Sequence, residues 1–406
     1  MLRKRSLRTP ESHSYAAIQQ VYGGCVNSDT LGTVFLVLFR LHAQMNTNLL
    51  NERKEDIIMS DILSFASDYL EGMHPAILKR LSETNLEQTT GYGMDPFCES
   101  AKEKIRAACD CPEAEIYFLV GGTQTNATVI DGLLAPYQGV IAAETGHISC
   151  HEAGAIEAGG HKVLTIPHTL GKISAAVIEK TVRTYMTDES RDHLVMPGMV
   201  YLSQPTEYGT LYTLEELTAI HDVCQKNGLY LYVDGARLAY ALASEANDVF
   251  LPDLSRLCDA FYIGGTKCGA MFGEAVVLTR RNLIPHFFTI IKQHGALLAK
   301  GRLLGLQFDT LFTDGLYETI GRDAVRFAGR IQSVLQDNGY DLPFISPSNQ
   351  VFATLIDEKK SRLDQVIQTC FWEKPDDTHT TVRFAASWAT TEEMVEKLIA
   401  VLIELK

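Results

Sequence analysis

The chain offers little to a membrane. Its N-terminal apolar stretch Leu31-Gly32-Thr33-Val34-Phe35-Leu36-Val37-Leu38-Phe39 is short, whereas a spanning helix needs about twenty residues. The stretch also lies far from the basic start Met1-Leu2-Arg3-Lys4-Arg5, and no small-residue cleavage site follows it, so it does not read as a secretory signal. An excess of positive charge is missing as well. The 36 Lys+Arg against 50 Asp+Glu leave a formal charge of −14, which disfavours nucleic acid or an anionic membrane as a bulk partner but leaves a local phosphate site open. The nine cysteines are scattered with no secretory disulfide framework, and they read as reduced thiols of a cytoplasmic protein. No metal site is expected. Cys109-Asp110-Cys111 has a single intervening residue where zinc ligands are usually spaced wider, and the His147, Cys150, His151 group competes with another role for His147. Internal repeats and low-complexity segments are absent too. What remains is a 406-residue chain with 46% hydrophobic and 21% charged residues, enough for a sizeable core and more than one domain.

Two apolar runs stand out against this background. Leu229-Tyr230-Leu231-Tyr232-Val233 ends in Asp234-Gly235-Ala236-Arg237, and Phe261-Tyr262-Ile263 ends in Gly264-Gly265-Thr266-Lys267. Short apolar runs bounded by glycine predict buried parallel strands, and ligands of open α/β sheets gather beyond the carboxyl ends of such strands. An acid, an arginine and a lysine would then face one crevice. The glycines around Lys267, including Gly269, predict a place where backbone comes very close to something else, for which a cofactor is the natural occupant.

A third run, Ile116-Tyr117-Phe118-Leu119-Val120, predicts another buried strand. Gly121-Gly122-Thr123-Gln124-Thr125-Asn126 follows it and opens a helix-like segment. Amides at a helix N-terminus bind anions, and glycines let a phosphate approach. The turn is neither a Walker loop nor a dinucleotide fingerprint, because it lacks both Gly-Lys-Ser/Thr and the third glycine. A cofactor that needs a lysine amine, a carboxylate and a phosphate cup is pyridoxal 5'-phosphate. Its aldehyde is held as a Schiff base by lysine, for which Lys267 is the candidate, and its ring nitrogen keeps a proton beside a carboxylate, for which Asp234 is the candidate.

With Phe65-Ala66-Ser67-Asp68, Gly91-Tyr92-Gly93, Gly146-His147-Ile148, and Glu152-Ala153-Gly154-Ala155 added to these motifs, the chain from about Met59 onward resembles the low-specificity threonine aldolase-like branch of the threonine aldolase and β-eliminating lyase family. The resemblance implies a fold type I pyridoxal-phosphate architecture: α/β, a large domain with a mostly parallel sheet, and a small C-terminal α+β domain. It implies cofactor contacts from Gly121, Gly122, Thr123, His147, Asp234, Arg237, Thr266 and Lys267. His147 would stack on the ring, and Tyr92 would serve the phosphate across a subunit interface. It also implies a substrate seat at Ser67, Arg237 and Arg383, where guanidinium forks hold the carboxylate. Lys292 and Lys300 fall in a segment that, in relatives, points basic groups at a neighbour. The implied reaction cleaves the Cα–Cβ bond of threonine or allo-threonine into glycine and acetaldehyde, in a homodimer or homotetramer. His147, directly or through water, is the first candidate base for the β-hydroxyl, and Glu207 is the second. Relatives often carry Thr-His-Asn-Gly where this chain has Gln204-Pro205-Thr206-Glu207-Tyr208-Gly209.

The expected organisation is an N-terminal extension over 1–58 with little fixed structure, an arm and large cofactor domain over 59–300, and a small domain over 301–406. Helices are predicted from Leu214 to Gln225, from Leu303 to Phe312 and from Glu392 to Leu405, with strands at Val351–Ile356 and Val382–Phe384. Other readings of the same groups are β-elimination or amino transfer on another amino acid, and a non-catalytic homologue of the fold.

Overall fold

The two apolar runs that end in Asp234 and in Gly264-Gly265-Thr266-Lys267 become neighbouring strands of one sheet. A computed structural model describes residues 62–406; the expected extension over 1–58 lies outside the described residues. The sheet has seven strands: β2 (Glu115–Leu119), β3 (Gln138–Ala143), β4 (Val163–Ile166), β5 (Met196–Ser203), β6 (Tyr230–Asp234), β7 (Ala260–Gly264) and β8 (Glu274–Leu278). Its order is β2-β8-β7-β6-β5-β3-β4. The strands from β7 to β4 run parallel, and β8 lies antiparallel between β7 and β2. Leu231 and Val233 of β6 enter one hydrophobic core and Tyr232 the other, the period-2 alternation of a strand covered on both faces. The expectation of a buried strand at Ile116–Val120 holds only in part. Among the described residues β2 is the sheet's edge, paired only with β8, and of its own residues only Ile116 and Leu119 are buried. An apolar run does not by itself reveal that a strand has a single neighbour.

A second sheet is antiparallel, in the order β11-β12-β9, from β9 (Gln350–Ile356), β11 (Cys370–Glu373) and β12 (His379–Ala385). The helix Arg322–Asp337 packs on β9 and on the helix Glu392–Glu404. β1 (Leu63–Ser64) pairs parallel with β10 (Ile367–Gln368), so the start of the described chain is stitched to its last third.

Helix ends follow local chemistry. The helix Leu214–Asn227 opens with a capping box between Thr213 and Glu216 and stops at Gly228, whose φ is +65°. It runs two residues past Gln225 to the left-handed position that glycine accepts most easily. The helix Arg302–Leu311 packs on Pro96–Ala108 and Pro75–Thr84. Its buried Asp309 pairs with Arg80, with Lys104 at 2.6 Å and with the Ser100 hydroxyl at 2.6 Å. Burial alone would raise the Asp309 pKa, but the hydrogen bonds from Lys104, Ser100 and Arg80 and the charge of Lys104 outweigh it and hold the carboxyl below its ordinary 3.8. A depressed carboxyl contributes its stability in full above the ordinary value and loses it as pH falls through the folded one. Asp309→Asn is therefore expected to cost about 2 kcal/mol at neutral pH, because it leaves two partly exposed cations unpaired. In urea melts the difference from wild type should shrink below pH 3.8; a difference that persists unchanged at low pH would count against this.

Candidate active site

Because five adjacent strands are parallel, their carboxyl ends share one edge of the sheet. Antiparallel β8 brings its first residue, Glu274, to the same edge. A cavity of about 280 Å³ lies there, lined among others by Gly121, Thr123, His147, Asp234, Thr266 and Lys267. Arg237 and Gly122 line it too. A second cavity, of about 630 Å³, adjoins it and shares His147, Arg237 and Lys267, with Arg383 on its wall.

Asp234 ends β6 with its side chain buried. Tyr201 of β5 donates to Oδ2 at 2.6 Å and Tyr262 of β7 to Oδ1 at 2.5 Å, so each flanking strand sends in a phenol. Asn126 Nδ2 donates to Oδ2 at 3.1 Å, and the Ala236 amide donates to Oδ1 at 3.0 Å. Burial pushes the Asp234 carboxyl up, but the charge of His147 and the phenol and amide donors more than reverse this, and its pKa falls below the ordinary value. The group is an anion fixed in direction.

His147 opens a one-turn helix after β3. Its Nδ1 lies 2.7 Å from Oε1 of buried Glu152, which also accepts from Asn126 at 2.7 Å. A carboxylate partner assigns the proton to Nδ1 and leaves Nε2 unencumbered. The His147 amide donates to Glu207 Oε1 at 2.9 Å, and the Ser203 hydroxyl donates to the same oxygen at 2.8 Å. Burial raises the Glu207 pKa.

The loop carrying Lys267 is held from three sides. Tyr240 donates to the Lys267 carbonyl at 2.6 Å and Tyr317 to that of Gly264 at 2.9 Å. Glu274 accepts from the Gly265 amide at 3.0 Å and the Thr266 hydroxyl at 2.8 Å, and burial pushes its carboxyl up to about 7. The glycines here correct one expectation. A Cβ on Gly265 would meet the Gly273 carbonyl at 2.6 Å, and one on Gly264 the Ala236 carbonyl at 2.4 Å. Their close neighbour is the chain's own backbone. Gly121 is the contrasting case: nothing lies within 4 Å of a Cβ built on it. It precedes the helix Gly122–Leu133, whose N-terminus has no side-chain cap. That is an open anion cup.

The two arginines differ. Arg237 is tied to Asp68 through Nε at 2.6 Å and Nη2 at 3.0 Å. Burial raises the Asp68 pKa, but Arg237's charge and hydrogen bond overcome that and hold it at about 2. Asn349 steadies Asp68 at 2.9 Å. Arg383 reaches Gln350 Oε1 at 3.0 Å and the Ala66 carbonyl at 3.2 Å, yet its buried Nε has no partner among the described residues. The buried hydroxyl of neighbouring Ser67 has none either. Buried donors without acceptors are costly, so two of them mark a place shaped for an anion.

Tyr92 stands apart from both cavities. It is exposed with φ +60°, and Lys292 Nζ lies 4.8 Å from its ring centre. Lys300 is exposed as well. Sequence reasoning assigned no role to Asn126, Glu152, Tyr201, Tyr262, Asp68 or Glu274. The signal available for the tyrosines was a phenol inside a fully buried strand, which must find a polar partner.

These groups and this sheet define an α/β enzyme of the fold type I, pyridoxal-phosphate-dependent-transferase-like architecture. The Beta-eliminating lyase family matches residues 64–355, and the chain belongs to it. A low specificity L-threonine aldolase of a Pseudomonas species is 30% identical over 348 residues, covering 83% of this chain and 96% of that protein. The solved structure of Leishmania major threonine aldolase superposes with a TM-score of 0.82 at 42% identity, covering 84% of this chain and 99% of that one. A single mutant of Thermus thermophilus aspartate aminotransferase shares the fold, with a TM-score of 0.64 at 15% identity, over 90% of this chain and 96% of its own. No helix among the described residues is long and apolar enough to cross a membrane.

Proposed function

We propose that this chain is a pyridoxal-phosphate-dependent lyase that cleaves the Cα–Cβ bond of β-hydroxy-α-amino acids, threonine and allo-threonine among them, into glycine and an aldehyde. The observation that carries the reading is one crevice holding a buried aspartate kept ionised, a lysine, an open amide cup and an arginine with an unpartnered buried N–H. The residues fit the cofactor: Gly121, Gly122 and Thr123 would receive its phosphate, Asp234 its ring nitrogen, Lys267 its aldehyde, and His147 one face of its ring. When bound, the cofactor supplies an electron-withdrawing ring that draws the electron pair from a bond broken at Cα.

The protein's part is orientation and proton control. Asp234 would favour a protonated ring nitrogen by Coulomb attraction in a largely dry site. Arg383 and Arg237, with the Ser67 hydroxyl, would receive the substrate carboxylate and so decide which bond of Cα faces the ring. Loss of one charge-assisted contact costs roughly 1.5–3 kcal/mol. Arg383→Met is therefore expected to raise KM for threonine by about 10- to 100-fold while the visible absorbance of the bound cofactor persists. An unchanged KM would remove Arg383 from the substrate seat.

Tyr92 and Lys292, which line neither of the two cavities that hold Lys267, fit a cytoplasmic homodimer or homotetramer in which they serve a neighbour's phosphate. The reaction class is tested by incubating the purified holoprotein with a small panel of amino acids. Glycine plus aldehyde supports the reading. A keto acid plus ammonia would replace it with β-elimination, and amino transfer to a keto acid would replace it with an aminotransferase.

A further inference from the structure

We infer that His151 is the base that takes the β-hydroxyl proton as the Cα–Cβ bond breaks, an assignment that rests on the aldolase reading. The 630 Å³ cavity holds the arginine seat and Lys267, so the other substituents of Cα must share the rest of its volume. His147 has Nδ1 engaged by Glu152, and the same reading lays its ring against the cofactor. Oε1 of Glu207 already accepts the His147 amide and the Ser203 hydroxyl, which fixes that carboxylate against the turn it supports. The Cys150 thiol donates to the Glu144 carbonyl at 3.0 Å, and burial keeps it protonated. Tyr208 on the same wall remains a phenol for the same reason.

His151 differs from all of these. Its ring centre lies 5.7 Å from that of His147 at an interplanar angle of 49°, it lines the same cavity, and neither ring nitrogen has a hydrogen-bond partner among the described residues. His151 is an exposed residue, yet partial desolvation, then the charges of His147 and Arg383, lower its pKa from the ordinary 6.5, so at neutral pH it is neutral with a lone pair available. In the step, the O–H bond breaks and its proton passes to the imidazole. The O–H electron pair becomes the second bond of the departing aldehyde's carbonyl, and the Cα–Cβ pair stays at Cα, where a proton later completes glycine. His151 then releases its proton to water, and no oxidant or reductant is consumed.

The test uses two reactions of the holoenzyme, threonine cleavage and exchange of the glycine Cα hydrogen in D₂O followed by NMR. Exchange needs the arginine seat, Asp234 and Lys267 but involves no hydroxyl. His151→Asn is expected to slow cleavage by about 100-fold or more while exchange and visible absorbance stay within roughly threefold of wild type. The assignment is overturned by cleavage that stays near wild type, and equally by cleavage and exchange that fall together, since His151 would then only shape the cavity. A wild-type holoenzyme that exchanges glycine but does not cleave threonine overturns the aldolase reading itself, and His151's role with it.

Discussion

Replacing Lys267 with alanine should abolish turnover, lowering kcat by at least about 10⁴-fold and removing any yellow, borohydride-reducible absorbance from the purified protein. The size of the effect follows from how the loop is built. Tyr240, Tyr317 and Glu274 fix the Lys267 carbonyl, the Gly264 carbonyl and the Gly265–Thr266 backbone and hydroxyl. The side chain is thereby aimed into a cavity whose other walls are in place without it. All of these ties reach the backbone or Thr266, so the substitution should leave folding intact, and an unchanged melting temperature is the control. A Lys267→Ala protein that still cleaved β-hydroxy amino acids at the wild-type rate would sink the proposed chemistry.

Asp234→Asn should come next in magnitude, with kcat/KM down by about 10³-fold. The carboxylate receives four donors, from Tyr201, Tyr262, Asn126 and the Ala236 amide. An amide in its place removes the negative charge and points an N–H₂ at groups that were donating. Some loss of stability, about 1–3 kcal/mol for the mispaired buried donors, accompanies the catalytic loss. The two are separable. Tyr201→Phe removes one donor but keeps the charge, so it should match much of the stability loss and little of the kinetic one. If the two variants proved kinetically alike, the hydrogen bonds rather than the charge of Asp234 would be what matters.

The positions of Asp234 and Lys267 were legible because a buried strand is apolar until it reaches the edge of the sheet, and the first polar residue after it is therefore near the ligand side. His147 and Arg237 were readable once motifs in order pointed to a family. The Lys267 glycines were read correctly as sites of close approach but assigned the wrong neighbour, since sequence gives the absence of a side chain and not what fills the space. The polar network beneath the site was hidden for a different reason. Asn126 meets Asp234 across 108 residues of chain and Arg237 meets Asp68 across 169, and no local pattern encodes a partner that far away. The edge position of β2 was likewise decided by topology. Glu152 was visible in its motif but carried no role until the structure placed its carboxylate on His147.

The proposed seat for the substrate carboxylate has a history written into its connectivity. Asp68 waits on Asn349, 281 residues later, and Arg383 closes on the carbonyl of Ala66 across 317. As the chain leaves the ribosome, most of the seven-stranded sheet can assemble behind it, yet Asp68, the partner of Arg237, gains its Asn349 contact only after residue 349 has emerged. Pairings this distant form slowly, because the chain's loop-closure entropy is met before any contact repays it. Forms that stop short of Arg383 would thus carry Lys267 and Asp234 without the pairings that complete the proposed seat.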